Sequence, residues 1–300
     1  MKKTILLLLI LSSKESFSQF QEITGGVGFS YYFGDLNIKH TDRGVALLGD
    51  FFDPKNFKMS YSLGYRYNFQ NYLSLGLNFY HMYLSGYDSD NKATGPADGA
   101  FARKLRNLSF HTSVNEAFID LRFEPFRTER KWDKNKVHIS PYLGAGIGLF
   151  TFNPKAMNNA GKEVELQPLG TEGQGIAGYG QKYSLMQLVV PVNLGVRVTP
   201  KSRKYSLSLD FNYNHTFTDY LDDVSTTYAN PKDLSNAYQT ANPSLYNMVN
   251  EMNDRRPLVN QQPDQKGNKN DNDFFMTGQI KFSYFIFNNS VNTYYKCCEF

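Results

Sequence analysis

The densest cluster of reactive side chains in the 300-residue sequence is Phe217-Thr218-Asp219-Tyr220-Leu221-Asp222-Asp223-Val224-Ser225, with three carboxylates close together. Clustered oxygens suit a hard cation such as Ca²⁺, but the spacing lacks the ligand pattern of an EF-hand loop. A solvated loop base is the simpler expectation. The five histidines, His40, His81, His111, His138 and His215, show no metal-ligand spacing. His111 lies near Ser109 and Ser113, an arrangement too common to signal a nucleophile and its base. No catalytic residue, cofactor or metal site is expected, and the chain reads as non-enzymatic.

Leu166-Gln167-Pro168-Leu169-Gly170-Thr171-Glu172-Gly173-Gln174-Gly175 has the glycines and proline of a shaped loop. It does not open a helix, which argues against a phosphate cradle. The stretch 255–273, rich in Asn, Gln, Asp, Lys and Arg, reads as a hydrated loop tip. The two cysteines, Cys297 and Cys298, are adjacent. A bond between neighbours is strained, so a link to a partner or two free thiols are equally open. They are too close together and too alone for zinc. In the segment 125–136 the only tryptophan, Trp132, stands among Arg127, Arg130, Lys131 and Lys134. Trp and Arg are favoured interface anchors, although a Trp also rests readily at a membrane interface.

The elements that must position these residues begin with an export signal. Lys2 and Lys3 precede the apolar run Ile5–Leu11, and Ser16-Phe17-Ser18 offers a cleavage site before Gln19. Residues 1–18 are therefore expected to be a signal peptide for Sec-type export. The run is far below the ~20 apolar residues of a spanning helix. No Cys stands at the cleavage point, so a lipoprotein is not expected. Mean hydropathy is −0.49, yet 15% of residues are aromatic, with 21 Tyr and 24 Phe against one Trp. Low mean hydropathy with many aromatics suits alternating barrel strands and not a helical membrane protein. A net charge of +4 without a basic run argues against nucleic acid.

Eight segments alternate with period two, the signature of strands with unlike faces. They are 23–33, 59–69, 73–79, 116–124, 137–151, 186–198, 205–214 and 276–286. In the second, Met59, Tyr61, Leu63, Tyr65, Tyr67 and Phe69 share one face. Pro191 interrupts the sixth, where a bulge is expected. The links 34–57, 70–72, 85–115, 125–136, 152–182, 199–204 and 218–275 alternate long and short. Long extracellular loops and short periplasmic turns are the habit of outer-membrane barrels. In a lipocalin-type barrel the polar face would be the outer surface, but here it is crowded with Gly, Ser and Asn, which suit a narrow interior. Tyr65, Tyr67 and Phe69, and Tyr284, Phe285 and Phe287, resemble an interface girdle.

The expected fold is all-β, an eight-stranded antiparallel up-and-down transmembrane barrel over 19–287 with a periplasmic tail at 288–300, integral to the outer membrane. Arg66, Glu116, Asp120, Arg122, Glu124, Arg197, Asp210 and Lys281 would then point inward and pair. Such a barrel is plugged by its own side chains and has no sizeable pore.

Gly34-Asp35-Leu36-Asn37, Gly144-Ala145-Gly146-Ile147-Gly148 running into Phe152-Asn153-Pro154, the segment 166–175 and the segment 217–225 carry a resemblance. On them the chain resembles the PorG family of outer-membrane proteins from the type IX secretion apparatus of Bacteroidota. The resemblance implies an accessory, non-enzymatic role in secretion and, in gliding species, in motility. It implies outer-membrane lipids and a periplasmic ring of the PorK and PorN or GldK and GldN type as partners. It assigns no ring contact to residues. From side and composition, Arg127, Arg130, Lys131, Trp132 and Lys134 of the turn and Cys297 and Cys298 of the tail are the candidate partner contacts. A free-standing barrel that binds a ligand or surface through its outer loops is the alternative.

Overall fold

The computed structural model describes residues 20–36, 57–70, 72–90, 99–127, 137–200, 204–239, 242–256 and 265–287. The expected signal segment 1–18, the expected tail 288–300 and most of the expected turn 125–136 lie outside them.

Eight long strands close on themselves. They are β1 (Phe20–Phe33), β2 (Lys58–Asn68), β3 (Leu73–Tyr87), β4 (Ser109–Phe123), β5 (His138–Thr151), β8 (Met186–Thr199), β9 (Tyr205–Thr216) and β10 (Phe274–Phe287). Each pairs antiparallel with its neighbour in sequence, apart from the small hairpin β6 (Lys155–Met157) and β7 (Glu163–Glu165) between β5 and β8. The seam is β1 against β10, in register from Phe20↔Phe287 to Phe33↔Phe274. All eight expected segments are barrel strands.

Side-chain direction follows the alternation. Leu63 and Ile139 are 66% and 62% exposed, and Leu77, Ile147, Leu194 and Ile280 also face out. A belt of this kind is stable only against hydrocarbon, which makes the barrel a transmembrane one. Among the described residues no helix is long and apolar enough to cross a membrane, so the strands do so.

Three expectations need correction. β3 and β4 pair as far as Tyr87↔Ser109, so the third link is 88–108 and not 85–115. The strands continue because Met82, Leu84, Phe110 and Val114 join the apolar core that the long links bury. Pro191 makes no bulge: β5 and β8 pair in one register on both sides of it, Ala145↔Val192 and Gly148↔Val189. A bulge needs an extra residue on one strand, and none is inserted. Phe285 leaves the girdle and is buried, with the Arg197 guanidinium 5.9 Å from its ring centroid.

The long links stand at one end. They contain the helices α1 (Gly99–Arg106), α2 (Pro231–Leu234) and α3 (Pro243–Asn253) and the β6–β7 hairpin. Together they bury Leu36, Phe152, Leu169, Leu221, Leu234 and Met252 in one apolar core over the barrel mouth. The molecule is therefore a barrel with a folded cap.

Candidate functional site

The lumen comes first because the strands alone build it. All eight charged residues expected inside are buried. Arg66 Nη2 donates to both oxygens of Asp120, at 2.7 and 2.8 Å, and Asn78 Nδ2 donates to Asp120 Oδ1 at 2.6 Å. Lys281 Nζ lies 2.7 Å from Asp210 and donates to the Tyr80 hydroxyl at 2.6 Å. Tyr142 donates to Asp210 at 2.6 Å, and Arg122 stands 4.0 Å from the Tyr142 ring centroid. Glu116 is buried with neither carboxylate oxygen hydrogen-bonded. Glu22, which the sequence reading left outside its first strand, is fully buried between Arg197 at 3.1 Å and Arg66 at 3.7 Å.

This packing closes the bore. Purified protein in a planar bilayer should show no large single-channel conductance. Stable openings of porin size would mean that the ion pairs do not hold the lumen shut.

At the short-link end, Arg127 is the one candidate partner contact within the described residues. Its guanidinium is buried, donating to Asn68 Oδ1 at 2.5 Å, lying 3.5 Å from Glu124 and 4.2 Å over the Phe20 ring. Arg127 therefore stoppers the lumen and presents no exposed charge to a partner. Arg130, Lys131, Trp132, Lys134, Cys297 and Cys298 lie outside the described residues.

The cap gathers the segments that looked unrelated in sequence. Successive turns carry 166–175, with Gly170, Gly173 and Gly175 at positive φ of 64°, 83° and 91°. This left-handed backbone is open to glycine without a Cβ penalty. The turns present Thr171 to Asp223 at 2.5 Å and let Glu172 accept the backbone N–H groups of Ser225 and Thr226 at 2.9 and 3.0 Å. Tyr183 donates to the other Asp223 oxygen at 2.6 Å. Asp35 accepts the Asn268 N–H at 2.7 Å, and the Leu36 N–H donates to Asp222 at 3.1 Å.

Asp219, Asp222 and Asp223 are buried, so the expected solvated loop base is a buried polar hub. The stretch 255–273 is also not simply a hydrated tip. Its Lys266 and Asp273 are buried, with Lys266 donating to Thr171 Oγ1 at 3.1 Å and lying 3.9 Å from Glu172. Arg106 pairs with Asp88 at 2.7 Å and donates to the carbonyls of Lys266 and Asp35. Asp88, Arg106, Lys266 and Asp273 were missed because each lies in a link, far in sequence from its partner, where no spacing rule reaches.

Asp35, Glu172 and Asp222 accept backbone N–H groups and so cap turns, while Asp223 is held by Thr171 and Tyr183. Among the described residues no group of three or more His, Cys, Asp or Glu is placed to hold a metal ion. The contact His111 makes is to Glu163, at 2.8 Å, where Lys155 also pairs at 3.0 Å.

Residues 1–243 match a family model described as a domain of unknown function, DUF6089. The chain belongs to the DUF6089 family. No curated protein matches it. Among solved structures, the DUF6089 chain is similar to Ail, the attachment invasion locus protein of Yersinia pestis, in complex with the heparin analogue sucrose octasulfate. Identity is 11% over 90% of this chain and 99% of Ail, with a TM-score of 0.36. It is also similar to the N-terminal β-barrel domain of Pseudomonas aeruginosa OprF, at 7% identity over 90% of this chain and 100% of that one, TM-score 0.36. Neisserial surface protein A is 9% identical over 90% of this chain and 99% of its own, TM-score 0.36.

Proposed function

We propose that this protein is a sealed, non-enzymatic barrel of the outer membrane, held by lipid contact with its apolar belt. We propose further that it is an accessory component of type IX secretion and the gliding-linked machinery, tying a periplasmic ring of the PorK/PorN or GldK/GldN type to the membrane. The observation that carries a scaffold reading is that both the bore and its mouth are filled. Ion pairs such as Arg66–Asp120 occupy the lumen, and the apolar cap core covers it. A barrel without a passage does its work at its ends. The resemblance at 34–37, 166–175 and 217–225 supplies the secretion context. With Arg127 turned inward, a ring contact on the periplasmic side falls to Arg130, Lys131, Trp132, Lys134 and the tail with Cys297 and Cys298.

A second reading has its own support. Three of the segments that carry the resemblance meet in the cap, where Asp35, Glu172 and Asp222 are all engaged. A preformed cap suits a free-standing barrel that recognises a ligand or surface outside.

Affinity purification of tagged protein from gently solubilised native membranes separates the two. Recovery of a periplasmic lipoprotein ring, lost on charge reversal of Arg130, Lys131 and Lys134, is the expected result. Recovery of the barrel alone, with secretion intact in a deletion strain, would remove the scaffold role and leave the cap-binding one.

A further inference from the structure

At the base of the cap, three buried groups stand in a row. Tyr32 Oη is 2.6 Å from Asp222 Oδ2 and 3.0 Å from Asp273 Oδ1. All three residues are almost fully buried. The carboxylates are also engaged by backbone N–H groups: Asp222 Oδ1 accepts the Val224 N–H at 2.9 Å, Asp222 Oδ2 also accepts the Leu36 N–H, and Asp273 Oδ2 accepts the Leu221 N–H at 2.8 Å. The fit leaves no slack, since a Cβ on Gly34 would fall within 2 Å of both Tyr32 Oη and Asp273 Oδ1.

Hydrogen counting decides the protonation of this row. A phenol carries one hydrogen and can donate it once. With both carboxyl groups ionised, Tyr32 can serve only one of them, and the other contact sets lone pair against lone pair. A proton on Asp273 Oδ1 resolves this: Asp273 donates to Tyr32, and Tyr32 donates to Asp222. We propose that Asp222, Tyr32 and Asp273 share one carboxylic proton at neutral pH, and that this proton latches the cap onto the barrel mouth.

The surroundings support it. From the end of β1, Asp35 faces the pair; from the third link, Arg106, itself bonded to Asp88; from the seventh, Asp219. One step further out, Glu172 of the fifth link and Lys266 of the seventh face Asp223. Arg106 faces Asp222 but bonds Asp88, and Lys266 faces Asp223. Carboxylates thus outnumber cations around the row. Burial first, and then the neighbouring carboxylates, pushes Asp222 and Asp273 above the usual carboxylate range. Burial likewise pushes Asp219 up to about 9.

A carboxyl raised in the folded state binds a proton that the open state releases. Its contribution is fully present in acid and is lost as pH rises through the folded-state value. The latch is therefore tightest below the ordinary carboxylate range, weakens steadily as pH rises from there through neutrality, and is lost once pH passes the folded-state value. It joins the end of β1 to both ends of the seventh link, since Asp222 follows β9 and Asp273 precedes β10. Releasing it loosens the two ends of the seventh link from β1 while the strands stay paired.

The test uses the full mature chain in detergent micelles. Infrared spectra at pH 7 should contain the carbonyl stretch of a protonated carboxylic acid, diminished in Asp273→Asn. Hydrogen-exchange protection of the Leu221 and Val224 amides should fall with rising pH in the parent, ahead of any loss in the strands. In Asp273→Asn, whose amide donates to Tyr32 without titrating, that fall should be flattened. If Asp273→Asn yields no folded barrel, Tyr32→Phe removes the bridging hydroxyl instead: protection of the Leu221 and Val224 amides at pH 7 should drop, and unchanged protection overturns the proposal. Absence of any protonated-acid band in the parent at pH 7 overturns the proposal. So does an unchanged band and pH profile in the Asn variant.

Discussion

Asp120→Asn should destabilise the barrel by about 3–5 kcal/mol, the usual cost of removing one partner from a buried ion pair. The carboxylate accepts two contacts from Arg66 Nη2 and one from Asn78, and Asn193 Nδ2 lies 3.4 Å from it. Asparagine keeps the size but removes the charge, and it turns an N–H toward groups that are already donors. Among the described residues, Arg66 would then stay buried with Glu22, at 3.7 Å, as its remaining ion-pair partner. The measurement is a urea titration in micelles, read by the gel mobility of folded and unfolded barrel. Glu163→Gln is the control: it breaks a pair with Lys155 that lies in solvent, and no shift should be measurable. Replacing Arg66 and Asp120 together by apolar residues should restore much of the loss, because neither charge is then stranded. Equal midpoints for Asp120→Asn and Glu163→Gln would mean that water screens the lumen, and the sealed-barrel reading would fail with it.

The lumen was legible because period-two alternation settles direction without any knowledge of partners. Arg66 and Asp120 lie 54 positions apart, and no local rule pairs them. Yet both sit on the polar face of a strand, and a narrow barrel brings polar faces together. Glu22 escaped only because the clean alternation began one residue later, at Ile23. The cap was illegible for the opposite reason. Its contacts join four links, as when Arg106 reaches Asp88, Asp35 and Lys266, and no periodicity runs through irregular chain. Composition misled there: Asp219, Asp222 and Asp223 look like a solvated run, but the apolar Leu221 among them and Val224 just after them draw the segment into the cap core. Two helix starts did leave a readable mark. Asn230-Pro231 and Asn242-Pro243 are N-cap and first-turn pairs, and each asparagine side chain accepts a backbone N–H, from Lys232 at 2.9 Å and Leu245 at 3.1 Å.

Gly28→Ala should prevent barrel closure altogether. Gly28 lies opposite Gln279 on the seam between the first and last strands, with Phe29 opposite Gly278. A Cβ at position 28 would stand 1.9 Å from the Gly278 carbonyl oxygen and 2.6 Å from the Gln279 Cα. Both obstacles are backbone, so no side chain can swing aside, and the strands would have to part where the sheet meets itself. An opened barrel has two unpaired edges in hydrocarbon, where each unsatisfied backbone group costs several kcal/mol. The loss should therefore be all-or-none: no heat-modifiable folded band after refolding, with the protein recovered as aggregate. Gly25 gives the comparison on the same strand. It faces outward, nothing lies within 4 Å of its Cβ position, and Gly25→Ala should refold with stability within about 0.5 kcal/mol of the parent. Gly278→Ala belongs between them, because its Cβ would meet the Phe29 ring at 2.4 Å and a ring can turn away. If Gly28→Ala refolds as readily as Gly25→Ala, the seam is looser than this register allows. The order of severity, position 28 above 278 above 25, tests the closure of the barrel independently of the charges inside it.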